Sequence, residues 1–261
     1  MTLPKSTIKK ISPYLLLLFA GCFVIFYQFL SIPKNTTFDE IEFAKLAIQL
    51  SRQPYAPYSQ LATGHATLYF YIILLSFKLF GVGLFALRLP AAIFGVLNPL
   101  VFYLILKKIF KNPLSFILSI IFITMRWYFN FARFGFEVTF LLFLEFTSLY
   151  FMFLYLEKKK MSNLVISGIF AGLAYNSYQP GRIFVLIPLL LLFASIIKNR
   201  AILWKSAVYF LIPFFLLILP LIVYLNIHKD TRFYQQFYPD NHEMNLQEKG
   251  QFFMRNLSST L

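Results

Sequence analysis

Thr67-Leu-Tyr-Phe-Tyr-Ile-Ile-Leu-Leu-Ser-Phe-Lys-Leu-Phe80 is the stretch on which the fold turns. It is apolar apart from Thr67, Ser76 and Lys78. A membrane helix needs about 20 such residues, and shorter runs more often lie in the interface or re-enter the face they came from. Whether it crosses decides the side of every later loop. Seven other stretches are long or apolar enough to span: roughly 11–30, 85–106, 113–131, 138–156, 163–178, 183–197 and 206–226. Lys and Arg collect in cytoplasmic loops close to span ends. The clusters are Lys5/Lys9/Lys10, Lys107/Lys108/Lys111, Lys158/Lys159/Lys160 and Lys198/Arg200/Lys205. If 67–80 does not cross, all four fall on one side; if it crosses, the last three oppose the first. The charge pattern therefore predicts seven spans, a cytoplasmic N-terminus and a 67–80 run with both ends outside. The first apolar run is longer than a signal-peptide core and has no Ala-x-Ala-like site after it, so it reads as a retained anchor.

Composition agrees. The chain has 261 residues, 59% hydrophobic and 13% charged, against about 25% charged in soluble domains. That excludes an ordinary soluble globule, a disordered chain and a disulfide scaffold. Cys22 stands alone, so no disulfide forms within the chain. The net charge of +14 would suggest nucleic acid in a soluble protein. Here the four clusters hold 12 Lys/Arg with only Glu157 beside them, so most of the excess is a topology signal and no nucleic-acid partner is expected. The fold class expected is an all-α polytopic membrane protein, with residues 1–226 as the membrane module. Residues 227–261 read as an outer segment.

The outer face collects the acids: Asp39, Glu40, Glu42, Glu137, Asp230, Asp240, Glu243 and Glu248, while Glu145 falls within the fourth span. The first outer loop, 31–84, is much the longest. Thr37-Phe38-Asp39-Glu40 fits a capping box, with Thr37 as N-cap. A helix from about 38 to 51 follows, with Phe43, Leu46, Ala47 and Leu50 on one face and Glu42, Lys45 and Gln49 on the other. Asp39 sits four residues before Phe43, so it extends the apolar stripe, where a macrodipole role explains it less well than it explains Glu40. Gly64-His65-Ala66 precedes the interfacial run. Arg133 and Glu137 are four apart, and one helical turn would pair them. Pro180-Gly181 marks a break before Arg182. Carboxylates deprotonate an acceptor or hold a metal; Arg and His hold a phosphate. Asp39, Glu40 and Glu137 beside His65, Arg133 and Arg182 suit transfer from a phosphate leaving group.

Four segments resemble the C-type membrane glycosyltransferases, the lipid-linked-sugar enzymes that include protein O-mannosyltransferases and aminoarabinose transferases. They are Phe38-Asp39-Glu40-Ile41-Glu42-Phe43-Ala44, Gly64-His65-Ala66-Thr67-Leu68-Tyr69, Phe80-Gly81-Val82-Gly83-Leu84-Phe85-Ala86-Leu87-Arg88-Leu89-Pro90, and Arg133-Phe-Gly-Phe-Glu137 with Ser167 to Arg182. The likeness runs from about 12 to 226, and because members of that family continue further it implies that 227–261 is the truncated start of a larger outer loop and the chain about half of an enzyme. It implies a polyprenyl-phosphate-sugar donor, inversion at the anomeric carbon, and catalysis on the extracytoplasmic face of the plasma (inner) membrane. It implies that Asp39 is the general base, that Glu40 assists or orients it, and that Glu137 is a second acid. His65 and Arg182 match positions that contact the lipid phosphate. The leaving group carries its own phosphate, so no cofactor is required; a divalent metal, if held, would sit on Asp39 and Glu137. Ala66-Thr67 replaces the family's Pro-Pro pair. The acceptor is not legible. Two other readings stand beside this one: a transporter or flippase of a lipid-linked solute centred on Glu145, and a non-catalytic, truncated relative.

Overall fold

The computed structural model describes residues 5–198 and 203–228, with Glu248 and Gln251. Asp230, Asp240, Glu243 and nearly all of the 227–261 segment lie outside the described residues. The chain folds as α1 (Lys5–Phe26), α2 (Phe38–Leu50), β1 (Tyr58–Ser59), β2 (His65–Ala66), α3 (Leu68–Phe80), α4 (Leu84–Leu106), α5 (Asn112–Thr124), α6 (Arg126–Ala132), α7 (Val138–Lys158), α8 (Met161–Tyr175), α9 (Gly181–Phe184), α10 (Leu186–Lys198) and α11 (Leu203–Ile227). It is a helical multi-pass membrane protein. Among the described residues α4, α7 and the Ser206–Ile227 part of α11 are each long and apolar enough to cross a bilayer. The apolar helices Ser12–Phe26, Leu68–Phe80, Met161–Tyr175 and Gly181–Ser195 are shorter.

Two of the expected spans differ in shape from a single straight helix. The 113–131 stretch is broken at Met125, whose ψ of 128° leaves the helix, and α5 and α6 meet at a 64° bend. The reason is tertiary. Tyr128, fully buried, donates its hydroxyl to the Gly95 carbonyl at 2.5 Å, and Ala132 packs where a side chain on Gly95 would be. The 11–30 stretch stops being helical at Phe26, and Gln28 takes a left-handed φ of 49°. Its last carbonyls are taken by Arg133, as described below.

Within the bilayer, helix packing is driven by close approach and buried polar pairs, because lipid is as apolar as leucine. On α8, a Cβ added to Gly168 would lie 2.2 Å from the Phe210 carbonyl oxygen of α11. One added to Gly172 would lie 2.9 Å from Leu217 Cβ. Ser148 of α7 and Ser167 of α8 exchange hydroxyl-to-carbonyl hydrogen bonds, both 2.9 Å. Tyr155 of α7 meets Ser206 of α11 at 2.6 Å, and Thr139 of α7 donates to the Ala91 carbonyl of α4 at 2.9 Å. One large apolar core joins α2, α3, α4, α7, α8 and α11. The first loop is thus part of the packed body.

Candidate functional site

The site is built on α2. Its capping box forms as expected: Glu40 N–H donates to Thr37 Oγ1 at 3.3 Å, and Thr37 N–H to Glu40 Oε2 at 3.2 Å. Phe43, Leu46, Ala47 and Leu50 are all buried, against a core that includes Tyr69, Phe70 and Ile73 of α3. On the opposite face Lys45 reaches Glu42 at 2.8 Å.

The two acids at the head of α2 have opposite fates. Glu40 is fully buried. Arg88 of α4 grips it twice, Nε to Oε1 at 2.7 Å and Nη2 to Oε2 at 2.9 Å. The Gly135 N–H adds a third contact at 3.1 Å. Arg88 also donates to the carbonyls of Pro33 and Asn35, so one guanidinium ties the entry of the first loop to the start of α4. Asp39 is exposed, and among the described residues no donor or cation meets its carboxylate. This corrects the stripe reading, which would turn Asp39 inward. In the first helical turn the chain enters from outside the packed face, so the buried acid is Glu40, the one with a guanidinium to compensate it.

Arg133 is also corrected. It does not pair with Glu137 and is not placed as a phosphate cation. Although buried, it donates to the carbonyls of Ile32 at 2.9 Å, Tyr27 at 2.5 Å, Gln28 at 2.5 Å and Val24 at 3.3 Å. It closes the end of α1, where helical carbonyls lose their partners. Burial, and then the nearby Arg88, hold its guanidinium below the ordinary value.

Glu137 turns to His65 instead. Both are buried, and His65 Nδ1 lies 2.8 Å from Glu137 Oε1. Glu137 Oε2 has no hydrogen-bond partner among the described residues. His65 is carried by β2, paired antiparallel to β1. The connection runs through Ala62, Thr63 and Gly64, all with positive φ. Thr67, standing in the second position of the expected Pro-Pro pair, fixes the strand: its N–H donates to the Pro57 carbonyl at 3.1 Å and its hydroxyl to the Ala56 carbonyl at 2.5 Å. Proline supplies neither bond, so the departure in sequence brings its own anchor. Phe43 and Phe70 meet the His65 ring edge-on, and Tyr178 stacks on it at 6.4 Å between centroids. Arg182 follows four residues after Tyr178, in α9, and is half-buried. The Ala174 carbonyl passes 2.2 Å from where a Cβ on Gly181 would be, so this tight start requires glycine.

The structure thus brings Glu137 and His65 into contact, stacks Tyr178 on His65, and leaves Asp39 open at the head of α2. Among the described residues no three His, Cys, Asp or Glu side chains converge as a metal group would need. Sequence reasoning missed Arg88 as part of the site. The signal was present: an arginine at the head of an apolar span is expected to have a partner. Glu145, within α7, is half-buried and meets no polar partner among the described residues.

Residues 64–225 match the family described as dolichyl-phosphate-mannose-protein mannosyltransferase. Among solved structures, the chain is similar to ArnT from Cupriavidus metallidurans bound to undecaprenyl phosphate. The TM-score is 0.66 and the identity 14%, over 87% of this chain and 44% of that one. The chain therefore spans less than half the length of that protein. No curated protein matches the sequence.

Proposed function

This chain belongs to the dolichyl-phosphate-mannose-protein mannosyltransferase family, and on that premise we propose that it moves a sugar from a polyprenyl-phosphate carrier to an acceptor on the extracytoplasmic face of the plasma (inner) membrane. The observation that carries this reading lies within one turn of α2. Glu40 is locked to Arg88 and Gly135, while the neighbouring Asp39 is open and unpartnered among the described residues. A carboxylate that is rigidly placed yet unengaged suits a general base. The acceptor nucleophile attacks the anomeric carbon as the bond from that carbon to the phosphate oxygen breaks. The bonding pair leaves with the polyprenyl phosphate, Asp39 takes the acceptor's proton, and the anomeric centre inverts. Arg182 and His65 are the groups assigned to the phosphate, because a charged or hydrogen-bonded anion needs paired donors. Glu137 orients His65 through Nδ1. The phosphate is already on the leaving group, so the chemistry does not require a metal. The N-terminus is assigned to the cytoplasm on the charge clusters.

Asp39→Asn is expected to lower release of polyprenyl phosphate from a labelled polyprenyl-phosphate sugar by about 10²–10⁴-fold in membranes holding the protein, with unchanged melting. Full turnover in that variant would overturn the assignment. A second reading, transport, is favoured by Glu145, an acid inside α7 with no polar partner among the described residues. Solute flux that disappears in Glu145→Gln, with no sugar transfer in the parent, would put it first.

A further inference from the structure

The ends of α4 and α7 that lie away from the candidate site carry a second charged surface. Lys108 follows Arg88 by 20 residues, and Glu157 follows Glu137 by 20. That is about 30 Å of helix in each case, close to the thickness of a bilayer's hydrocarbon core. Lys107, Lys108 and Lys111 belong to the α4–α5 connection, and Lys158, Lys159 and Lys160 to the α7–α8 turn. An ion pair between Lys108 and Glu157 joins the two, across 49 positions of chain. Glu157 is the only acid in either segment, so six lysines stand with one carboxylate.

Charge sorting accounts for lysines in each connection taken singly; it does not require the two to be pinned together. Glu157 is engaged in the bridge. Lys111, Lys158 and Lys160 are exposed, and none forms an ion pair among the described residues. Lys107 and Lys159 are held on aromatic rings. Lys107 Nζ donates to the Tyr14 hydroxyl at 3.0 Å and lies 5.4 Å from the centroids of both Tyr14 and Tyr103. Lys159 Nζ lies 5.3 Å from the Tyr155 centroid. A ring attracts an ammonium without cancelling its charge, so both lysines keep fixed positions and remain cations. Between Lys108 and Lys111, Ile109 and Phe110 are 58% and 42% exposed. Apolar side chains bracketed by lysines at the end of a span suit the boundary where headgroups meet acyl chains.

We propose that this surface binds the headgroups of anionic phospholipids, in the leaflet opposite the candidate site. The lysines meet the headgroup phosphates, and Ile109 and Phe110 enter among the acyl chains. A nucleic acid or an acidic peptide would match the charge alone and leave the two apolar side chains in water. The binding does not depend on the transferase reading.

The test titrates the full chain in detergent micelles with phosphatidylglycerol or phosphatidylcholine. Native mass spectrometry counts the lipid adducts, and melting is the second readout. Phosphatidylglycerol is expected to bind at least about tenfold more tightly and to raise the melting temperature. The triple variant Lys111→Gln, Lys158→Gln, Lys160→Gln should weaken it by about 10²-fold, roughly fivefold per lysine, with unchanged melting in lipid-free micelles. Lys34→Gln with Lys78→Gln removes two exposed lysines of the first loop and should leave the preference intact. Equal binding of the two lipids by the parent chain would overturn the proposal, as would a triple variant that keeps its preference, or an equal loss in the first-loop control. Tighter binding of a polyglutamate peptide or a short DNA duplex than of phosphatidylglycerol, lost in the triple variant, would also overturn it and give the surface to that partner.

Discussion

Glu40 and Glu137 are both fully buried carboxylates, and they are held in opposite ways. Glu40 accepts from Arg88 twice, from Gly135 and from Thr37, so both oxygens are engaged. Glu137 has one contact, His65, and its second oxygen meets no donor among the described residues. A saturated buried charge acts as a structural tie; a half-saturated one retains acceptor capacity that a reaction can use. The family likeness set the two acids side by side as catalytic candidates. The structure separates them, and gives the open position to Asp39.

Three variants break or sharpen that contrast. The largest effect is expected from Arg88→Met, which leaves Glu40 buried without a counter-charge. It should lose about 3–5 kcal/mol, a fall of roughly 10 °C in micelle melting. Adding Glu40→Gln should restore much of the loss, because the offending charge goes too. A double variant no more stable than the single one would show that Arg88 serves the Pro33 and Asn35 carbonyls more than Glu40. Glu137→Gln comes next, with the reverse signature. The amide still bonds His65, so melting should move by under about 1 kcal/mol, while transfer falls about 10²-fold. If stability and turnover fall together, Glu137 is a tie like Glu40. The smallest effect is expected at Glu42→Gln, which removes the exposed partner of Lys45. It should change stability by less than about 0.5 kcal/mol, and a larger loss would mean that α2 depends on its outer face.

The parts of this architecture that obey local rules could be read from residues alone. The capping box at Thr37 and Glu40 and the stripe at Phe43, Leu46, Ala47 and Leu50 depend on spacing within one helix, and both are present. The multi-pass helical fold follows from runs of apolar residues. What could not be read is fixed by groups far apart in the chain. The bend at Met125 depends on Tyr128 reaching Gly95, and the choice of Glu40 over Asp39 depends on Arg88. Arg133 had a sequence neighbour, Glu137, at pairing distance along a helix, and took the end of α1 instead because residue 133 precedes α7 rather than lying on it. The contact between His65 and Glu137 joins residues 72 positions apart, and no local period announces it.

The tie on Glu40 also has a history within each molecule. Glu40 leaves the ribosome 48 residues before Arg88 and 95 before Gly135. At ordinary synthesis rates of about 5–20 residues per second, the carboxylate waits roughly 2–10 s for its first partner and about twice that for its second. During that interval the first loop has no lock, and its helix must stay in contact with water or with the insertion machinery. The tie on Glu40 is therefore complete only after α4 and the turn before α7 have been made, so the first loop is fixed late although it is made early.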